Sequence, residues 1–351
     1  MTMLTAGANS AKGFESFTAN ADSQLAWRQI AEPVEPFLLA VAGRLQDQVT
    51  AFDPEIATYA RYAISNQGKQ IRPVLVGLSA SAAGRLEDAH ITAAVIIEMV
   101  HLATLVHDDI VDEANLRRGR PTLASNWGNE ISVLLGDCLF AHALVLAAGF
   151  PTTEVCRAVA SATNTVCSGE ILQTQRRQNF QFSQAEYFKI LGMKTGELFA
   201  LACDMGAFLS GAPGPTRTAL REYGMALGTA YQIYDDCVDL FGTEAEVGKS
   251  LGTDLITGKL TLPVIFLLES LPVAERTRWQ EQLTTWDASQ LDGLQKLLRQ
   301  HQALPRTQAV IRRYLEHARS CLKGLPGQSG TGLGGLADLL ERMAHEFEEA
   351  G

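Results

Sequence analysis

Six aspartates in two clusters are the residues of this chain best suited to chemistry. The first cluster is His107-Asp108-Asp109-Ile110-Val111-Asp112. Asp108 and Asp112 are four apart, so on a helix they share one face, with Asp109 beside them. Leu105, Val106, Ile110 and Val111 put this turn at the edge of a core. A solvated acidic patch is the plain alternative, but carboxylates at a core edge need a partner. Hard divalent cations supply one, because they prefer oxygen ligands. The arrangement recurs as Asp235-Asp236-Cys237-Val238-Asp239, again flanked by apolar residues. Arg117 and Arg118 follow the first cluster; Lys249 and Lys259 follow the second. Carboxylates, magnesium and these cations together suit a polyanion whose charge shifts during reaction. A diphosphate fits: magnesium bridges its oxygens to the carboxylates, and arginine clamps it bidentately.

The elements that must position these groups read as helices. From Leu86 to Leu116 there is no Gly or Pro, and apolar residues recur at three- and four-residue steps. The first cluster lies inside this run. Similar periodicity covers 37–49, 131–148, 153–175, 184–209, 216–241, 260–269 and 291–322, the last divided at Pro305. Turn signals fall at Gly149-Phe150-Pro151, at 211–215 and at 324–335. No stretch shows sustained strand alternation. The expected fold is all-α: one large helical bundle around a central cavity, spanning 23–351, with residues 1–22 as a mobile arm. The Gly330-to-Gly335 run matches G-x-G-x-x-G, but it follows no strand and opens only a short terminal helix, so a nucleotide site is not expected.

Composition narrows the partners. Of 351 residues 46% are apolar, enough for a substantial core, and the net charge of −10 argues against nucleic acid as a partner. Six scattered cysteines include no CxxC pair, so zinc is not expected, and most fall within apolar helical patterns, so a reducing, cytoplasmic setting is. The N-terminus has no charged segment followed by an apolar run, as a secretory signal would. The apolar stretch 131–150 is interrupted by Asp137 and His142 and reads as a buried bundle helix rather than a membrane span.

Taken together, the ordered blocks GKQIRP (68–73), HLATLVHDDIVDEANLRRGRPT (101–122), GEILQ (169–173), KTGELF (194–199), YQIYDDCVDLFG (231–242) and GKSLGTDLITGKLTLP (248–263) resemble the trans-isoprenyl diphosphate synthases, or polyprenyl synthetases. The resemblance implies a magnesium-dependent prenyltransferase that joins isopentenyl diphosphate to an allylic diphosphate. It implies that Lys69, Arg72, His101 and Arg118 form the isopentenyl diphosphate pocket. It assigns Arg117, Lys194, Lys249 and Lys259 to the allylic diphosphate, and Thr195 and Gln232 to the surroundings of the developing allylic cation. Asp108, Asp109, Asp112, Asp235, Asp236 and Asp239 become the metal ligands, and a homodimer is expected. Two departures stand out: Gln67 and Gln70 occupy positions where the family often has a second Gly and a basic residue.

Product length should depend on the helix wall below the first cluster. Residues four, five and eight positions before Asp108 are Thr104, Ala103 and Val100. In the family, aromatics at the first two of these cap a short product. Thr and Ala let the tail pass, so a product beyond geranylgeranyl is expected. Ile96, Ile97, Met99 and facing helices would set the final stop. A geranylgeranyl- or farnesyl-length synthase is the near alternative. A terpene cyclase would carry Asn, Ser and Glu in its second metal motif, and a non-catalytic partner subunit would have eroded aspartates. Neither description suits two whole DDxxD runs.

Overall fold

The computed structural model describes residues 21–65, 68–242, 251–325 and 331–349. In chain order its α-helices are α1 (Ala21–Ala31), α2 (Glu35–Asp47), α3 (Ala57–Ser65), α4 (Ile71–Ala83), α5 (Asp88–Val111) and α6 (Leu123–Trp127). Then come α7 (Asn129–Ala148), α8 (Thr153–Gln175), α9 (Gln184–Leu191), α10 (Glu197–Leu209), α11 (Gly214–Phe241) and α12 (Thr253–Ile256). The last are α13 (Leu262–Ser270), α14 (Val273–Thr284), α15 (Leu291–Gln300), α16 (Ala303–Cys321) and α17 (Thr331–Glu349). The expected all-α bundle is what forms. The described strands are a two-residue antiparallel pair, Leu116–Arg117 with Arg120–Pro121.

α5 and α10 are apolar on nearly every side and lie at the centre, buried by α4, α7, α8 and α11. Helices approach closely where glycine removes the side chain. A Cβ on Gly224 would sit 2.5 Å from the Phe199 carbonyl oxygen, and one on Gly228 would sit 2.8 Å from the Phe199 ring. This stripe lets α11 lie against α10. One core runs from Trp27 near the start to Leu333 in α17.

Several boundaries differ from the sequence reading, each for a local reason. The run expected from Leu86 to Leu116 ends as α5 at Val111; Asp112 caps it and Glu113 takes a positive φ of 52°. The first aspartate cluster therefore sits at the helix's C-terminal end: Asp108 and Asp109 lie in its last turn and Asp112 caps it. The division expected at Pro305 falls instead at Gln302 (φ 57°), and Pro305 is absorbed in the first turn of α16, where a missing N–H costs nothing. The run 184–209 is interrupted by a π-helical turn, Gly192–Gly196. The helix expected to be buried at 131–150 forms as α7, but Val133, Leu134, Leu144 and Val145 are exposed. Only 33% of its apolar window is buried, against 72% for α5; both are long and apolar enough to cross a membrane. The terminal helix is full length and contains Gly332, Gly334 and Gly335 of the glycine run, with Gly330 outside the described residues. Gly332 packs against Leu78 of α4. Of the expected arm, only Ala21 and Asp22 fall within the described residues, and they open α1.

Candidate active site

Both aspartate clusters lie at helix C-termini: the first closes α5, the second closes α11. The negative end of a helix dipole disfavours a carboxylate there by about 0.3–1 kcal/mol. Each cluster therefore requires cations, and the fold brings them in. Lys194 Nζ lies 3.7 Å from Asp108 Oδ2. Arg117 Nε lies 2.7 Å from Asp109 Oδ1. Asp112 takes Arg177 at 2.6 Å on one oxygen and Lys259 at 2.6 Å on the other. Burial pushes the Asp112 carboxyl up, but Lys259, Lys194 and Arg177 outweigh it and hold the group below the usual range. At Asp109 burial wins over Arg117, and the carboxyl is raised.

Lys259 joins the two clusters, because it also lies 3.9 Å from Asp254, whose charge acts on Asp236. Asp236, Lys194, Gln232, Asp254 and Lys259 line a common cavity of about 60 Å³. The Asp236 carboxyl is fully enclosed and raised well above the usual range, first by burial and then by Asp254. It accepts from Tyr187 OH at 2.6 Å and from Gln232 Nε2 at 3.0 Å; Gln232 Oε1 in turn accepts from Thr195 Oγ1 at 2.8 Å. Thr195 and Lys194 belong to the π turn, a rare element that recurs at functional sites. Gly169 of α8 makes room for this turn: its Cβ would sit 3.0 Å from the Lys194 nitrogen.

Asp239, expected as a metal ligand, is engaged by the start of α12. Its Oδ1 accepts from Thr253 N (3.2 Å) and Thr253 Oγ1 (2.7 Å), and its Oδ2 from Asp254 N (3.1 Å). Both oxygens thus cap α12 and hold the segment that delivers Lys259. Lys249 lies outside the described residues.

A second cationic group forms beside the first cluster. The hairpin turn Arg118-Gly119 has positive φ at both residues (53° and 70°), which a two-residue turn of this hand requires. It carries Arg118 across the chain to Gly68, where a Cβ would sit 2.2 Å from Nη2. Glycine there is what lets the guanidinium reach Lys69 and Arg72. Burial pulls the Lys69 ammonium down to about 8, against Asp235, which raises it. Arg72 lies over the Phe199 ring at 5.1 Å, and its buried Nε has no hydrogen-bond partner among the described residues. Such an orphaned donor fits an anion (and costs free energy without one). Burial, then Arg72, Arg118 and Arg117, hold the His101 ring well below its usual value, so it stays neutral.

The sequence reading missed four contributors. Glu98, one turn before His101, is buried opposite Arg72 and Arg118, and burial raises its carboxyl. Its signal was a lone acid in the apolar run VIIEMVH. Glu170 and Gln173 meet Lys194 Nζ at 2.7 and 2.9 Å, and burial pushes Glu170 up to about 7. They stand in the GEILQ block, one turn apart. Arg177 lies just past α8, and nothing in the sequence pairs it with Asp112.

The sequence pattern of the polyprenyl synthetase family matches residues 53–300. The chain belongs to the polyprenyl synthetase family. Among curated relatives, heptaprenyl diphosphate synthase component 2 of Geobacillus stearothermophilus is 34% identical over 86% of this chain and 93% of its own length. Among solved structures, a decaprenyl diphosphate synthase from Rhodobacter capsulatus superposes with a TM-score of 0.84 at 33% identity, covering 90% of this chain and 99% of its own. A polyprenyl synthase from Caulobacter crescentus, complexed with calcium and isoprenyl diphosphate, gives 0.84 at 32% identity, covering 90% and 97%. The first aspartate cluster of this polyprenyl synthetase fits hard cations: its donors are carboxylate oxygens, clustered closely enough to draw in Lys194, Arg117, Arg177 and Lys259.

Proposed function

We propose that this chain is a magnesium-dependent trans-prenyltransferase that condenses isopentenyl diphosphate with an allylic diphosphate and releases diphosphate, growing a product beyond geranylgeranyl. The observation that carries this reading is the pairing of two anion sites of different make. One mixes aspartates with Lys194, Arg117 and Lys259. The other is cationic, built from Lys69, Arg72 and Arg118 around an orphaned guanidinium nitrogen.

Asp108, Asp112 and Asp235 are the firmest candidates to hold magnesium, with Asp109 and Asp236 beside them. Magnesium, when bound, would supply charge stabilisation to the leaving diphosphate. Lys194, Lys259 and Arg117 would draw on the same oxygens as negative charge gathers there. Thr195 and Gln232 present polar oxygens to the carbon that turns cationic, and bound substrate filling the site keeps water from it. Lys69, Arg72 and Arg118 orient isopentenyl diphosphate so that its double bond attacks. The departing diphosphate is the proton acceptor in this account.

The names of relatives, heptaprenyl and decaprenyl synthases, support a long product. So does the α5 wall, where Val100, Ala103 and Thr104 are buried and none is aromatic. Residues 133, 134, 144 and 145 expose an apolar face on α7, which supports a homodimer with that face covered. The six free cysteines suit a reducing, cytoplasmic location.

The direct test is incubation with isopentenyl diphosphate, magnesium and, separately, dimethylallyl, geranyl and farnesyl diphosphate, followed by product mass analysis. Products longer than geranylgeranyl are expected; products that all stop at or below it would overturn the chain-length reading, and cyclic hydrocarbons the reaction itself. A pH dependence should accompany turnover. Lys69 binds the diphosphate as its cation, and in the free site it loses half its charge near pH 8. The KM for isopentenyl diphosphate should therefore climb as pH rises through 8, and Lys69→Arg should remove that limb, since a guanidinium stays charged. An unchanged limb in the variant would assign it elsewhere.

A further inference from the structure

A second candidate metal site lies away from the aspartates, on the opposite half of α11. His317 and Cys321 are one turn apart on α16, so both project from the same face. Glu222 faces them from α11, which packs along α16. One ligand atom from each, an imidazole nitrogen, a thiol sulfur and a carboxylate oxygen, falls within 4.8 Å of the others. Glu222 and His317 are exposed and Cys321 is half-buried, so a cation can reach all three. Among the described residues neither the Glu222 carboxylate nor the His317 ring has another ion pair or side-chain hydrogen bond. The nearby cation Arg319 is committed to Asp338 and Glu341. Glu222 stands thirteen residues before Asp235, about 20 Å at about 1.5 Å per residue, so the cluster is no extension of the active site.

We propose that Glu222, His317 and Cys321 bind one zinc-class cation that clasps α11 to α16. The donor set decides the class. Sulfur, nitrogen and oxygen together suit a borderline-soft ion, and three protein ligands leave a tetrahedral fourth position for water. Magnesium, which takes oxygen ligands at octahedral geometry, is excluded by the same donors. The thiolate and the carboxylate balance the dication's charge. On binding, the Cys321 thiol gives up its proton to solvent and the sulfur lone pair forms the metal bond. A search for CxxC pairs does not see this site, because its ligands are His-x-x-x-Cys on one helix and a glutamate on another. The ligands stand on two packed helices, which a bound ion would tie together without moving either.

Cobalt(II) is the probe, because a thiolate ligand gives a sulfur-to-cobalt charge-transfer band in the near ultraviolet that an all-oxygen aspartate site cannot give. The full chain, titrated with cobalt(II), should develop this band to one equivalent and lose it when zinc is added. Cys321→Ser and His317→Ala should each abolish the band and weaken zinc binding roughly tenfold or more. The unfolding temperature should rise with zinc in the wild type and not in His317→Ala. Prenyl transfer with magnesium should be unchanged in both variants, which separates this site from the catalytic one. No band in the folded wild-type protein, or a band that survives Cys321→Ser, overturns the proposal.

Discussion

Asp108→Ala and Asp235→Ala should each lower turnover by about a thousandfold or more while the helical circular dichroism stays as in the wild type. The scale is that of removing one principal stabiliser of charge that develops in the transition state. The fold should survive because Asp108 stands in the last turn of α5 and is only partly buried, and its removal relieves like charge. Lys194 keeps Glu170 at 2.7 Å and Gln173 at 2.9 Å when Asp108 is gone. Asp236 is a useful contrast. It is buried and tied to Tyr187 and Gln232, so Asp236→Ala should cost stability as well as rate, roughly 1–3 kcal/mol for the polar groups it orphans. Steady-state kinetics beside thermal melts separates the two effects. Near-wild-type rates in Asp108→Ala or Asp235→Ala would refute the assignment of the clusters.

Ala103→Phe should shorten the product to geranylgeranyl length or below. Ala103 lies five residues before Asp108 on α5, about 7.5 Å along the axis, between one and two isoprene lengths below the reacting end. Its side chain is fully buried, so the new ring must occupy the path of the growing tail or push the surrounding core apart. Overpacking of that kind costs about 1–3 kcal/mol, which a melt would register. Condensation with dimethylallyl diphosphate should continue, because the ring lies below the cation and not beside it. The reading is by mass spectrometry of the products. An unchanged chain-length distribution in a folded variant would move the wall to another helix.

What the sequence made legible were the groups whose chemistry is local. Two DDxxD runs, Lys69 with Arg72, and Lys194 with Thr195 are each contained within a single turn or block, and the structure brings them to one region. What it hid were relations set by distant segments. The pairing of Arg177 with Asp112 depends on where α8 ends relative to α5. The capping of α12 by Asp239 depends on where Thr253 and Asp254 lie relative to the end of α11. Apolar periodicity foretold α5 and α7 equally well, yet it could not say that neighbours enclose α5 while α7 keeps one apolar face outward. Periodicity also ran past the true end of α5, since nothing apolar marks the point where Asp112 caps the helix and Glu113 turns left-handed. The π turn escaped for a related reason: one extra residue in a helix barely disturbs the pattern of apolar positions.

The account depends on metal and diphosphate arriving together, so calorimetry with a non-hydrolysable allylic thiodiphosphate tests it most directly. With magnesium present the ligand should bind tightly, and chelation of the magnesium should weaken it by about a hundredfold or more, a coupling of roughly 3 kcal/mol. The aspartates would otherwise repel it. Equal affinity with and without magnesium would contradict the central claim.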